Sequence, residues 1–191
     1  ADEPTPPPTQ KAIFGYGSGV TAITNLVSSS GVVATDTAGV GTARTYLGGA
    51  SYGGDKAIFG YGNTGSADVS LTNLVSNSGV VAADVTGVGT ARRYLAAAGY
   101  GTDKAIFGYA SSSDTAVTNL VNSSGVVATD TSGVGTARKL LGATGYGTDK
   151  AIFGYGHIAP TTKTAVTNLV SNTGVVASDT SGVGTARNEL A

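Results

Sequence analysis

Apolar residues in this chain come in short runs closed by Gly, Ser, Asn or Asp. In one stretch the runs are YLAAAGY (94–100), KAIFGYA (104–110), VTNLVNSS (117–124) and GVVATDT (125–131). Val, Thr, Ile and aromatic residues fit a pleated, half-buried surface, whereas a helix interior disfavours the Gly that recurs in every run. Each run is therefore expected to be a strand. GTD (101–103) is a tight-turn signal between the first two runs. SSG (123–125), with its relatives SNSG and SNTG, separates the third from the fourth. The pattern predicts a four-stranded antiparallel meander.

The same pattern returns four times. GVGTAR stands at 39–44, 87–92, 133–138 and 182–187. One copy of such a Gly-rich hexapeptide would suggest a phosphate loop; four copies point to architecture. Phe14, Phe59, Phe107 and Phe153 each lie in KAIFGY, and Asn25, Asn73, Asn119 and Asn168 each belong to NLV. From Asn to the Arg of GVGTAR the step is always 19 residues, and from that Arg to the next Phe always 15. Only the step from Phe to Asn varies, at 11, 14, 12 and 15. All insertions thus fall in one segment, as expected for a repeated supersecondary unit with variable loops on one face. The repeats run over 11–44, 45–92, 93–138 and 139–187 with a period of about 46 residues, with 188–191 as a closing stub and the Pro-rich ADEPTPPPTQ (1–10) as an extended lead-in.

A single small sheet cannot bury both faces, but several packed around an axis can, and that is the β-propeller solution. The expected fold is all-β and β-propeller-like, with four blades. The order of TARxxLAAAGYGTDKAIFGYG followed by TNLVSNSGVVATDT resembles kelch-type propeller repeats, although the kelch Trp is absent and GYG or GYA stands where kelch has a double Gly. The chain resembles still more the KAIFGYG, GVVATDT and GVGTAR tandem repeats found in proteins of bacteriophages and bacteria. This resemblance implies a structural or adhesive part of a virion appendage or cell surface, hence an extracellular or virion-associated place. The chain starts at a second strand, KAIFGYG (11–17), and ends in ARNELA (186–191), the start of a first strand. A ring closed by that short stub would be imperfect; a four-bladed monomer and a homo-oligomer that completes the edge between chains both satisfy the pattern.

Fixed spacing also sorts the polar residues. Arg44, Arg92, Arg138 and Arg187 recur with Asp36, Asp84, Asp130 and Asp179, and are expected to pair between strands or blades. The four Phe are expected in the core. Tyr16, Tyr61, Tyr109 and Tyr155 adjoin the variable loops, where an aromatic ring could stack on a sugar. Those loops also carry Asp68, Asp114, His157 and Lys163, the candidates for recognising a glycan or surface receptor.

Composition narrows the chemistry. A net charge of −1 with 12% charged residues makes no electrostatic case for nucleic acid. No apolar run approaches the roughly 20 residues of a bilayer span, so no membrane insertion is expected. With no Cys and one His, neither a thiolate nor a multi-His metal site can form, and no cofactor is implied. GVGTAR lacks the Lys-Ser/Thr of a phosphate loop, and His157 alone makes no persuasive triad, so no catalytic residue is assigned. The expected function is a non-catalytic repeat scaffold; the alternative is a lectin-like propeller that binds glycans through its variable loops.

Overall fold

The KAIFG and TNLV runs pair in every repeat, and with an unvarying register. In the computed structural model, which describes residues 12–111 and 114–190, the first repeat forms β1 (Ala12–Gly15) and β2 (Thr24–Val27). The second forms β3 (Gly48–Tyr52), β4 (Lys56–Gly60) and β5 (Thr72–Val75). The third forms β6 (Ala96–Tyr100), β7 (Lys104–Ala110) and β8 (Thr115–Val121). The fourth forms β9 (Gly142–Tyr146), β10 (Lys150–Gly154) and, after a small hairpin of β11 (His157–Ile158) and β12 (Thr162–Lys163), β13 (Thr167–Val170). All pairings are antiparallel, and the Phe of KAIF always faces the Asn of TNLV: Phe14 with Asn25, Phe59 with Asn73, Phe107 with Asn119, Phe153 with Asn168. The described residues contain no helix, so none is long and apolar enough to cross a membrane. The lead-in expected over 1–10 lies outside the described residues.

The fourth run of each meander departs from expectation. It lies antiparallel to the TNLV strand but touches it only at isolated bridges, such as Val75 with Val81 and Thr72 with Val85. Three steps on one side face four on the other, so the register slips by one residue, as at a β-bulge. The Asn side chain holds the slipped run in place: Asn73 Nδ2 donates to the Ala82 carbonyl at 3.0 Å, and Asn119 does the same to Ala128. The sheets are therefore three-stranded, or two-stranded in the first repeat, with a bridged fourth segment.

Sheets pack face to face in chain order, and an apolar layer fills each gap. Tyr16, Phe59 and Val75 form the first layer; Ile58, Tyr61, Phe107 and Val121 belong to the second; Ile106, Tyr109, Phe153 and Val170 belong to the third. The Gly of KAIFG makes this stacking possible. A Cβ at Gly60 would lie 2.7 Å from the Phe107 ring, and one at Gly108 would lie 2.6 Å from that of Phe153. Each repeat thus leaves a hollow that the next repeat's Phe fills. A backbone ladder runs along the array as well: Tyr94 N–H donates to Tyr46 O, Leu140 N–H to Tyr94 O, and Glu189 N–H to Leu140 O, at 2.9–3.0 Å.

Phe14 corrects the expectation that all four Phe are core. It is 63% exposed, whereas Phe107 and Phe153 are fully buried. No glycine hollow among the described residues lies against Phe14. Among the described residues no backbone hydrogen bond joins the first sheet to the last.

Candidate functional site

The recurrent polar residues converge on the junctions between repeats. GVGTAR begins each one. Its first Gly crosses the preceding variable loop so closely that a Cβ at Gly133 would meet the Ala116 backbone. Its second Gly takes a left-handed φ, from +77° at Gly89 to +86° at Gly184, which turns the next N–H outward. At that turn the Thr clamps an Asp of the following repeat. The Thr90 N–H reaches both carboxylate oxygens of Asp130 at 3.0 and 3.2 Å, and the Thr90 hydroxyl donates at 2.6 Å. Thr42 holds Asp84 and Thr136 holds Asp179 in the same way.

Two residues later the Arg turns inward. Arg44, Arg92 and Arg138 have no exposed surface. Arg92 Nη2 donates to Asn119 Oδ1 at 2.6 Å, Nε to Tyr109 O at 3.2 Å and Nη1 to Thr90 O at 3.1 Å. Its guanidinium also lies over the Tyr61 ring, 4.1 Å from the centroid, and Nη1 is 4.0 Å from Asp130. Arg44 repeats this with Asn73, Tyr16 and Asp84, the last at 3.6 Å. Planar, delocalised charge suits both the stacking and the donor fork.

The Tyr of FGY completes the joint. Tyr61 and Tyr109 adopt φ of +66° and +61°, unusual for a bulky residue. That geometry sends the hydroxyl to the Val88 or Val134 carbonyl of the same repeat's GVGTAR, both at 3.2 Å. It also sets the ring edge-on against the next Phe, with centroids 5.1 Å apart for Tyr61–Phe107 and Tyr109–Phe153. With Arg on one face and Phe at the edge, neither ring has exposed surface for a sugar. Tyr16 is packed similarly against Phe59 and Arg44. Tyr155, in the fourth repeat, has Arg187 over its ring at 4.1 Å, and no Phe among the described residues packs against its edge.

Burial acts against the carboxylates of Asp84, Asp130 and Asp179, but hydrogen bonds from Thr and Asn, with the nearby Arg, outweigh it and hold all three below the ordinary carboxylate range. Burial likewise lowers Arg44, Arg92 and Arg138 from the usual arginine value. A depressed folded-state carboxylate pKa contributes stability that is complete above the unfolded value of about 4 and is lost as pH falls through the folded value. Chemical denaturation should therefore give a flat midpoint from about pH 8 to 5 and a decline below about pH 4. Asp130→Asn should shallow that decline. An unchanged acid limb in the variant would remove Asp130 from the account.

The variable-loop charges lie at the same junctions, farther out. Asp68 accepts from Asn63 Nδ2 at 2.6 Å and faces Arg93 at 3.5 Å. Asp114 pairs with Lys139 at 3.2 Å and accepts from the Ala159 N–H at 2.6 Å, spanning two repeats. His157 faces Lys163 across the β11–β12 hairpin. These groups are not brought into one cluster. A separate groove of about 230 Å³ crosses the turns after β3, β6 and β9, lined among others by Tyr52, Tyr100, Tyr146, Lys104 and Lys150. Sequence reasoning did not single out the clamping Thr, although its fixed place two residues before Arg in all four copies was a visible signal. Comparison with family models found no match, and a search of curated proteins also found none.

Proposed function

We propose that this chain is a non-catalytic repeat scaffold, a structural or adhesion module of a virion appendage or cell-surface assembly, built from propeller-like blades. One observation carries the reading: the polar residues that recur most regularly are consumed in joining one repeat to the next. Arg92, Asn119, Thr90 and Asp130 saturate one another, and the guanidinium has no exposed surface with which to bind anything else. The resemblance to phage and bacterial tandem repeats supports the same reading. Glycan binding through the variable loops has less support, since the Tyr61 and Tyr109 rings are enclosed and Asp68 and Asp114 are paired.

The test is location. Mass spectrometry of purified particles and of cell-surface fractions from the source should find the chain in multiple copies. Confinement to the cytosol would sink the scaffold reading. On a glycan array, binding that disappears on Tyr155→Ala would favour the lectin alternative instead.

A further inference from the structure

The two ends of the array are unequal halves of one joint. Every internal junction takes Gly, Tyr, Thr and Arg from the earlier repeat, and Phe, Asn and Asp from the later one. Gly60, Tyr61, Thr90 and Arg92 meet Phe107, Asn119 and Asp130; at the next junction Gly108 and Tyr109 meet Phe153 and Thr136 clamps Asp179, while Arg138 lies over the Tyr109 ring at 4.2 Å without a hydrogen bond to Asn168. The first repeat carries the later half, and none of the described residues supplies the earlier half against it. Phe14 is 63% exposed. Asn25 Nδ2 already donates to Asp36 Oδ1 at 2.9 Å and to Ala34 O at 3.1 Å, the same internal arrangement that Asn73 has with Asp84 and Ala82. Asp36 nevertheless has no Thr clamp among the described residues.

The fourth repeat carries the earlier half, and none of the described residues supplies the later half against it. Arg187 already stacks on Tyr155 at 4.1 Å, and its Nη1 donates to Thr185 O at 3.3 Å, as Arg92 and Arg138 do at their junctions. Gly154 has no Phe against it: a Cβ there would meet only Thr167, at 3.3 Å. Gly184 holds the left-handed turn at +86° that presents the Thr185 N–H, and no Asp among the described residues receives it.

From this complementarity we infer that the fourth repeat of one chain docks onto the first repeat of a second copy, head to tail. Phe14 of the next copy enters the hollow at Gly154 and meets the Tyr155 ring. Asp36 takes the Thr185 clamp, and Asn25 Oδ1 accepts from Arg187. The charges match, a carboxylate on one end and a guanidinium on the other, and both halves stand preformed in the orientation that the internal joints use. Preorganisation of this kind removes much of the ordering cost of association. A joint between two different faces is heterologous, so it extends into a filament or closes into a larger ring. The inference deepens the scaffold reading and rests on it for biological purpose, but docking is measured separately from location.

Sedimentation or light scattering of the full chain over a range of concentrations tests it. The unmodified chain should rise above its monomer mass of 18.6 kDa as concentration increases. Asp36→Ala spoils only the leading face, and Arg187→Ala only the trailing face. Each alone should need upward of about tenfold more protein to reach the same mass, because one partner of a desolvated charge pair is lost. Mixed in equal amounts, the two variants each retain one good and opposite face, so a species of twice the monomer mass should return and grow no further. Neither substitution touches an internal junction, and unchanged circular dichroism shows that each variant folds. A monomer at every concentration, variants that assemble like the unmodified chain, or a mixture that fails to pair would each overturn the proposal. None of these outcomes alters where the chain is found, so the scaffold reading stands or falls by its own measurement.

Discussion

Replacing Arg92 with Ala should cost the chain about 3–5 kcal/mol, the usual consequence of removing one partner from a buried charge network. The guanidinium has no exposed surface, donates to Asn119, Tyr109 and Thr90, and lies over the Tyr61 ring. Its loss leaves the Asn119 oxygen and the Tyr109 carbonyl without donors and opens a void beside Tyr61. At roughly 2–4 °C per kcal/mol for a chain of this size, the melting temperature should fall by about 10 °C. Because each repeat contacts only its neighbours, weakening one junction should also divide unfolding into two steps, one for each half of the array. Arg187→Ala is the internal control. It removes the same side chain from the same turn, with the same stacked Tyr, but at a position with no Asn partner among the described residues. Measured in the Asp36→Ala background, which blocks docking between copies, Arg187→Ala should cost no more than about 1 kcal/mol. Equal losses at the two positions would show that Arg acts within its own repeat and does not join neighbours.

The contrast between Arg92 and Arg187 shows where the sequence was informative. Constant spacing from Asn to Arg and from Arg to Phe identifies a repeated unit and its strands, because spacing in a stack is set by geometry that every unit shares. The same spacing pointed to Asp–Arg pairing. What it concealed was direction. Arg44 lies 40 residues from Asp84 in the chain yet 3.6 Å from it in space, while Asp36, eight residues away in the same repeat, is not its partner. Self-similar repeats make those two pairings identical on paper. Only the stacking order separates them.

The Tyr of FGY was harder to read for a different reason. Its position beside the variable loop invites a ligand role, and nothing in a local propensity predicts a positive φ for Tyr. The strain of that conformation is offset by the ring's enclosure between Arg and the next Phe, which is a tertiary effect. Phe14 shows the converse. Its sequence surroundings match those of Phe107, yet it is exposed where none of the described repeats packs against it. Burial in a stacked protein belongs to the junction and not to the residue.

Gly135→Ala should cost about 3–5 kcal/mol, and Gly184→Ala only about 1, although both positions close the same GVGTAR turn. Their backbones are nearly identical, with φ of +83° and +86°. The left-handed conformation penalises an added Cβ equally at both, by about 1 kcal/mol. The surroundings differ. At Gly135 the new methyl would run into the Asp179 carboxylate and lie 2.6 Å from Asn168 Nδ2; at Gly184 its nearest neighbour is the Tyr155 hydroxyl at 3.9 Å. To admit the methyl, Asp179 must leave its bonds to the Thr136 N–H and hydroxyl, and hydrogen bonds to a charged group are worth about 1.5–3 kcal/mol each. Denaturant midpoints of the two variants, again with docking blocked by Asp36→Ala, measure the difference. A gap of at least about 2 kcal/mol is expected if GVGTAR is kept in four copies for the joint it makes with the next repeat. Matching losses would mean that the second Gly serves the turn alone, and that the clamp between Thr and Asp follows from stacking without directing it.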